Sequence, residues 1–343
     1  MRDVEASLQS QELVTALKAA AEPTRLRILM LLAGEELNVK DLTKILGQSQ
    51  PRISRHLKLL TEAGLIERFR EGSWVYFFIS DQTTGGQLAR HLVQRVDTSD
   101  PVVSRDSDRA IALKRERETT AQRYFEEHAS EWDRIRALHI AEKDVEQAMR
   151  DSLGTGPFDL LIDLGTGTGR TLELFSECYA QGLGIDVNHA MLTYARSKLA
   201  KAGLSHALVR HGDIYNLAVD DGVADAVVMH QVLHFLSQPQ KAIQEAARVL
   251  APGGKLLIVD FAPHDLEVLR DAQAHGRLGF PTHLVAQWIG DVGLQPQGNI
   301  QLKPDDLEDP EKLTVSVWLA GRPDAKQSNL EGDAPRFVEE AQS

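Results

Sequence analysis

Residues 158–175 read FDLLIDLGTGTGRTLELF, and no other stretch restricts the fold as strongly. Leu160–Leu164 is a short apolar run of the kind buried on both faces of a parallel sheet. Gly165, Gly167 and Gly169 then turn the chain, and Thr171–Phe175 opens a helix. Glycine is needed where a ligand must approach the backbone, because any Cβ would hold it away. The alternation continues downstream. GLGID forms a second strand ending at Asp186, 21 residues after Gly165. A third strand around His206–Arg210 leads into Gly212-Asp213-Ile214, and a fourth, ADAVVM, ends at His230. The helix QKAIQEAARVL, the breaker Pro252-Gly253-Gly254 and a fifth strand, KLLIVDF, follow. Such a pattern predicts an α/β unit with a mainly parallel, doubly wound sheet.

An acid at the end of the second strand suits the two hydroxyls of a ribose, so the ligand is read as a nucleoside. NAD is the obvious competitor. The dinucleotide spacing G-x-G-x-x-G would need glycine at position 170, where Arg170 stands. Asp163, Asp186 and Asp213 also fall at successive strand ends, where they would repel a pyrophosphate. They suit a ligand carrying a sulfonium, an ammonium, a ribose and an adenine. S-adenosylmethionine (SAM) has those groups and no phosphate. His230, His234 and His264 are the candidate bases for an acceptor that loses a proton; each also fits a pocket-lining or helix-surface histidine. His230-x-x-x-His234 could suggest a metal pair, but no third ligand is evident and no metal is expected. Tyr124 and Trp132 are candidates for a lid over the ligand or for plain packing.

The chain has 343 residues, so two or more domains are expected. Net charge is −12, against general nucleic-acid binding, yet its distribution is uneven. Residues 1–95 hold 13 Lys+Arg and 11 Asp+Glu, while the remainder holds 25 and 39. Only the first quarter tolerates a phosphate backbone. Helical spacing over 10–19 and 23–33 is followed by a short helix, Val39–Leu46, ending at Gly47, a good residue for a left-handed stop. Ser49 is expected to cap the next helix, with Pro51 in its first turn. On that helix Ile53, Leu57 and Leu60 share one face, and Arg55 and Lys58 point away, flanked by Arg52 and Ser54. An apolar back with a basic, hydroxyl-bearing front is what major-groove reading needs, and Ser49 and Gln50 at the helix start extend that front. LIERFR and SWVYFFIS then alternate with period two about Glu71-Gly72. The tip of this hairpin, near Arg68–Ser73 and including Arg70, would lie along the DNA backbone.

The segment EPTRLRILMLL…LTKILGQSQPRISRHLKLLTEAGLIERFREGSWVYF closely resembles the ArsR/SmtB family of winged-helix repressors, over about residues 10–95. The resemblance implies an α+β winged helix-turn-helix unit, double-stranded operator DNA as partner, and a homodimer built by the first helix and the one after the wing, about Gly86–Val96. Arsenite-sensing members place cysteines in the stretch here written ELNVKDL. This chain has Asn38 and Lys40 there, and His91 stands alone where zinc sensors carry an Asp/His/Glu set. Metal sensing at those sites is therefore not expected.

The order DLGTGTGR…GIDVNHAML…HGDIYNL…ADAVVMHQVLHFL…EAARVLAPGGKLLIVDF resembles the class I SAM-dependent methyltransferases, especially the ubiquinone/menaquinone biosynthesis branch, over about residues 120–320. A Rossmann-like sheet closed by an antiparallel strand is implied, with LTVSVWLAGR as the candidate. By that resemblance Asp163 with Gly165, Thr166, Gly167 and Gly169 would hold the methionine moiety. Asp186, with Val187 beside it, would hold the ribose, and Asp213 and Ile214 the adenine. His230 and Gln231 would line the floor by the methyl group. Read from the residues alone, His234 is the further catalytic candidate and Tyr124 a candidate for the cofactor site. The whole chain also resembles a recurrent bacterial fusion of these two modules.

The expected organisation is a DNA-binding domain over 1–96 and a linker and connecting helix over 97–138. A methyltransferase domain over 139–323 and a disordered tail over 324–343 complete it. No run approaches the roughly 20 apolar residues of a membrane span, the start MRDVEASLQSQ lacks the order of a secretory signal, and one cysteine, Cys178, fits a reducing cytoplasm. That single thiol also argues against arsenic methylation, which needs several in one site. Two readings stay open: a regulator tethered to a working methyltransferase acting on a small molecule, and a non-catalytic sensor of SAM or S-adenosylhomocysteine that controls DNA affinity.

Overall fold

The computed structural model describes residues 7–71, 74–80, 82–129, 131–136, 142–272, 274–304 and 312–324. Contacts divide the chain into Met1–Thr120 and Ala121–Ser343.

In the first unit α1 (Ser10–Ala20) and α2 (Pro23–Leu32) precede β1 (Leu37–Asn38), α3 (Val39–Leu46) and α4 (Gln50–Glu62). β2 (Glu67–Glu71) and β3 (Trp74–Phe78) form the hairpin, and α5 (Thr84–Val93) follows. The sheet order is β1-β3-β2. Asn38 and Asp41 cap α3 reciprocally, each side chain accepting the other's backbone N–H. Gly47 ends α3 in the left-handed region at φ 65°, which reverses the chain into α4. Ser49 is the residue before α4, but its side chain makes no capping hydrogen bond, so its hydroxyl does not take the expected part. Ile53, Leu57 and Leu60 are buried with Ile28, Leu42 and Ile45. Burying each such side chain contributes about 1.5–3 kcal/mol, which fixes which face of α4 remains outside. Gly72 and Ser73 of the hairpin tip lie outside the described residues.

The polar stretch 97–104, expected as a linker, contains a helix start: Asp100 Oδ1 accepts the N–H groups of Val102 and Val103, and Pro101 opens α6 (Pro101–His128). The first part of α6 belongs to the first unit. Asp106, 3% exposed, takes both arms of Arg27 at 2.5 and 2.8 Å, and Arg117 pairs with Asp41. The connecting helix expected within 97–138 is instead two helices, α6 and α7 (Trp132–Arg136); residues 130 and 137–138 lie outside the described residues.

The second unit, from Ala121 onward, contains α8 (Glu142–Leu153), β4 (Phe158–Leu164), α9 (Arg170–Leu174), β5 (Tyr179–Asp186), α10 (His189–Lys201), β6 (Ala207–His211) and β7 (Ala224–His230). A short 3-10 turn, Leu233–Phe235, leads to α11 (Pro239–Val249) and β8 (Leu250–Phe261). α12 (Val268–Ala272), α13 (Thr282–Asp291), β9 (Gln295–Leu302) and β10 (Val315–Gly321) complete it. The seven-stranded order is β6-β5-β4-β7-β8-β10-β9, with β6 to β8 parallel and the last two strands antiparallel. Alternate residues feed opposite cores: Leu161, Val228 and Leu257 pack with α8 and α10, while Ile162, Val227 and Leu256 pack with α11 and α13. The doubly wound α/β architecture is thus present.

Three local features were not given by the sequence pattern. Pro252-Gly253-Gly254 does not break the chain; β8 runs through it, and the register against β7 jumps between Ala224↔Leu250 and Ala226↔Lys255, so the extra residues form a bulge. β9, exposed, polar and containing Pro and Gly, is an added edge strand that carries no alternating apolar signal. Cys178 lies after α9, in the turn before β5, partly buried against the core. The tail expected to be disordered lies outside the described residues from 325. No described helix is long and apolar enough to cross a membrane.

Candidate functional site

The site in the second unit is built on the turn after β4. The N–H groups of Gly165 and Thr166 both donate to the Ile185 carbonyl, at 2.8 and 3.1 Å, so the turn is fastened to the end of β5. Gly167 N–H donates to Asp186 Oδ2 at 2.9 Å, and Asn188 N–H to the other oxygen at 2.8 Å. Gly165, Gly167 and Gly169 have φ of 73°, 51° and 79°, a region that side chains rarely adopt. A Cβ on Gly165 would run into Val232, which follows β7. The turns after β4 and β7 and the end of β5 therefore meet at the carboxyl edge of the sheet, where open α/β sheets bind ligands.

Desolvation in this crowded corner pushes the Asp186 carboxyl above its ordinary range, against backbone N–H donors and His211, which favour its charge. Asp163 lies within β4 and is 1% exposed, not at a surface rim. Asp213 is exposed two residues past β6, its Oδ1 accepting the Tyr215 N–H at 2.9 Å. Gly212 N–H donates to the Asp186 carbonyl, so Asp213 and Ile214 neighbour Asp186 in the chain path. Val187 is exposed at the same edge.

His230 and Gln231, the last of β7 and the next residue, are both buried. Gln231 adopts φ 53°, strained for a residue with a Cβ. Its side-chain Nε2 is buried without a hydrogen-bond partner, as is Thr166 Oγ1 in the glycine turn. Buried polar atoms are normally satisfied, so unsatisfied ones at this edge of the sheet call for a partner such as a bound ligand. His264 Nδ1 accepts the Leu266 N–H at 3.2 Å, a turn-forming role that leaves this candidate base committed.

Residues 121–136 also reach the turn, through contacts that no local sequence pattern signals. Gln122 accepts the Asn188 side-chain amide through its carbonyl and its Oε1. Asp133 accepts the Thr168 hydroxyl at 2.6 Å and pairs with Lys198 at 2.8 Å. The Trp132 indole nitrogen comes within 3.8 Å of where a Gly167 Cβ would stand. Tyr124, Phe125, Trp132 and Phe235 form a continuous ring cluster, and burial raises the Tyr124 phenol above its ordinary range. Arg170, at the position a third dinucleotide glycine would hold, forks onto Glu146 at 2.6 and 2.8 Å and contacts Glu173. Its charge is spent on carboxylates. Among the described residues no group of three or more His, Cys, Asp or Glu stands ready to hold a metal.

In the first unit Ser49, just before α4, and Gln50, Arg52, Ser54, Arg55 and Lys58 on it are all exposed, and Arg68 and Arg70 are exposed on β2. His56, between them, is half-buried; burial lowers its imidazole below the usual range despite Glu22.

Comparison with known proteins agrees with both halves. Residues 162–258 match the methyltransferase domain model, and residues 22–68 match the model for bacterial regulatory proteins of the arsR family. The ubiquinone/menaquinone biosynthesis C-methyltransferase of Vibrio parahaemolyticus is 30% identical over 189 residues, 53% of this chain and 71% of that protein. An uncharacterized methyltransferase of Bacillus subtilis is 32% identical over 126 residues, 36% of this chain and 49% of that protein. An uncharacterized 37.1 kDa transposon protein of Streptomyces fradiae is 32% identical over 147 residues, 39% of this chain and 41% of that protein. The chain thus spans about half the length of the last two. It belongs to the family of ubiquinone/menaquinone-type methyltransferases, with an arsR-family helix-turn-helix segment joined ahead of the methyltransferase domain.

Proposed function

We propose that the second unit binds SAM in the glycine turn and transfers its methyl group to a small-molecule acceptor, and that the first unit binds duplex DNA as a homodimer, making the chain a transcriptional regulator. The observation that carries the SAM reading is the turn itself. Its Gly167 N–H is held on Asp186, while Thr166 Oγ1 and Gln231 Nε2 stay buried without protein partners. The residues fit a phosphate-free nucleoside: acids surround the turn, and Arg170 has no charge left for a pyrophosphate. In this reading Asp163, Gly165, Thr166, Gly167 and Gly169 take the methionine end, Asp186 and Val187 the ribose, and Asp213 and Ile214 the adenine. His230, Gln231 and Tyr124 bound the space around the methyl group. When bound, SAM supplies a methyl carbon activated by its sulfonium. The chain's task is to orient an acceptor in line with that carbon and to exclude water, and the Tyr124–Trp132 ring cluster suits the second.

For DNA, the exposed basic face of α4 and the arginines of β2 support the reading. Leu13, Val14 and Leu17 of α1 are 37%, 42% and 42% exposed, an apolar face that suits pairing with a second copy.

A sensor reading has its own support. Within the first unit, α6 is ion-paired to α2 and α3 through Asp106 and Arg117; from Ala121 on, its residues reach Asn188 beside Asp186. A ligand that holds one part of α6 can bias the other only by binding two conformations differently. The test is a selected DNA duplex titrated with the full chain alone, with SAM and with S-adenosylhomocysteine, alongside S-adenosylhomocysteine production over an acceptor panel. Turnover above the hydrolysis background is expected. Background turnover with a ligand-dependent DNA affinity would favour the sensor, and DNA affinity identical in all three states would exclude it.

A further inference from the structure

We infer that His234, oriented by the buried carboxylate of Asp260, is the group that takes the proton from the methyl acceptor, and that His275 is a positioning residue behind it. The inference rests on the methyl-transfer reading above. β7 and β8 run side by side in parallel, with His230 opposite Val259, so residues just beyond β7 meet those at the end of β8. There His234 Nδ1 lies 2.7 Å from Asp260 Oδ1, with side chains 2% and 0% exposed. Asp260 also accepts the Phe261 N–H at 2.7 Å and the His234 N–H at 3.3 Å. The loop after α12 fixes the other side of the histidine: Gly276 and Arg277 N–H groups donate to its carbonyl at 2.9 and 3.0 Å. The His275 ring stands 4.3 Å from the His234 ring and nearly parallel to Phe261.

Removing a His–Asp pair from water costs several kcal/mol, and apolar side chains of the same volume would hold this corner together without that cost. What the pair supplies is a defined tautomer. With Nδ1 donating to Asp260, only Nε2 can accept a proton, and the carboxylate stabilises the imidazolium that results. A run of rings connects the pair to the cofactor turn. The Phe235 ring centroid lies 4.0 Å from that of His234 and 4.8 Å from that of Phe125, and Trp132 stands between Phe235 and the vicinity of Gly167.

The step balances without another reagent. The acceptor X–H gives its proton to His234 Nε2, and the X lone pair forms the X–CH3 bond. The S–CH3 bond breaks with its electron pair left on sulfur, giving S-adenosylhomocysteine. The imidazolium, paired with Asp260, later releases the proton to water. Only an acceptor that must lose an O–H, N–H or C–H proton needs this device; a thiolate or a tertiary amine does not. Among the described residues, the groups around His234 that can carry charge are Asp260 on β8, His275 and Arg277 in the loop after α12, and His264 beyond Phe261.

The test uses the full chain, with Asp260→Asn, His234→Gln and His275→Phe. Radiolabelled methyl transfer is measured over an alcohol, a phenol, a 1,3-diketone, thiophenolate and trimethylamine. The tautomer and titration of His234 are followed by 15N NMR, and S-adenosylhomocysteine binding by calorimetry. Positioned acid–base groups contribute roughly 10²–10⁴-fold, so kcat should fall by about that factor in Asp260→Asn and His234→Gln. KM and S-adenosylhomocysteine affinity should stay near wild type. The Asp260→Asn change should also alter the His234 tautomer, and the acid limb of the rate profile should follow the His234 titration. Near-wild-type rates in both variants, transfer confined to thiophenolate or trimethylamine, or no transfer to any probe while S-adenosylhomocysteine still binds would each overturn the inference. Failure of the wild-type chain to bind S-adenosylhomocysteine would instead remove the reading beneath it.

Discussion

Replacing Arg55 with alanine is expected to abolish or strongly weaken specific duplex binding while leaving S-adenosylhomocysteine binding unchanged. Arg55 is exposed on α4, opposite the buried Ile53, Leu57 and Leu60, so its loss should not disturb the core. An arginine that reads a base pair contributes about 1–3 kcal/mol of discrimination. In a homodimer both half-sites lose it, giving about 2–6 kcal/mol and a drop of roughly 30- to 10⁴-fold. Gel shifts with a duplex selected from a random pool against wild-type protein provide the measurement, and Lys58→Ala provides the contrast. A phosphate contact weakens all sequences alike and reduces the salt slope by about one ion. Unchanged affinity in Arg55→Ala would remove α4 as the reading helix.

Changing Asp186 to alanine is expected to weaken S-adenosylhomocysteine binding by roughly 10- to 100-fold, since hydrogen bonds to a charged acceptor are worth about 1.5–3 kcal/mol. The carboxylate also carries the Gly167 and Asn188 N–H groups, so part of the loss will come from a loosened turn. Its pH dependence separates the two. Because burial raises the Asp186 carboxyl, the folded chain holds this proton more tightly than the unfolded chain. Its contribution to stability is therefore fully present below the ordinary carboxylate range and is lost as pH rises through the raised folded value. At neutral pH the charged carboxylate is a cost to the fold, which a ribose would offset by donating to it. Wild-type affinity should fall on acidification as Asp186 takes up its proton, and the Asp186→Ala isotherm should lose that dependence. An unaltered isotherm in the variant would contradict the ribose role.

Much of this arrangement was legible because it follows from local pattern. The apolar run Leu160–Leu164, the glycines after it and the acid at the end of GLGID specify strand, turn and strand end without long-range information. The same holds for α4, where the 3–4 spacing of Ile53, Leu57 and Leu60 decides which side chains stay outside. What escaped depends on partners far apart in sequence. His234 and Asp260 are 26 residues apart and meet only because β7 and β8 are neighbours in the sheet order. Asn188 and Gln122 are 66 apart. Pro252-Gly253-Gly254 reads as a stop by composition, yet a bulge at a sheet margin tolerates all three residues. The DTSDP stretch reads as a loop by polarity, yet an aspartate before a proline is also a helix-start signal, and Asp100 uses it so.

Everything proposed for the second unit requires the turn after β4 to cradle an adenosyl sulfur compound rather than a dinucleotide. Calorimetry and thermal unfolding of the full chain with S-adenosylhomocysteine, SAM and NADH test it most directly. Saturation at about 100 times Kd should stabilise the binding unit by about 2.7 kcal/mol, a shift of roughly 5–10 °C for a unit of this size. That shift is expected with S-adenosylhomocysteine and SAM, and none with NADH. Stabilisation by NADH, with neither adenosyl sulfur compound bound, would contradict it.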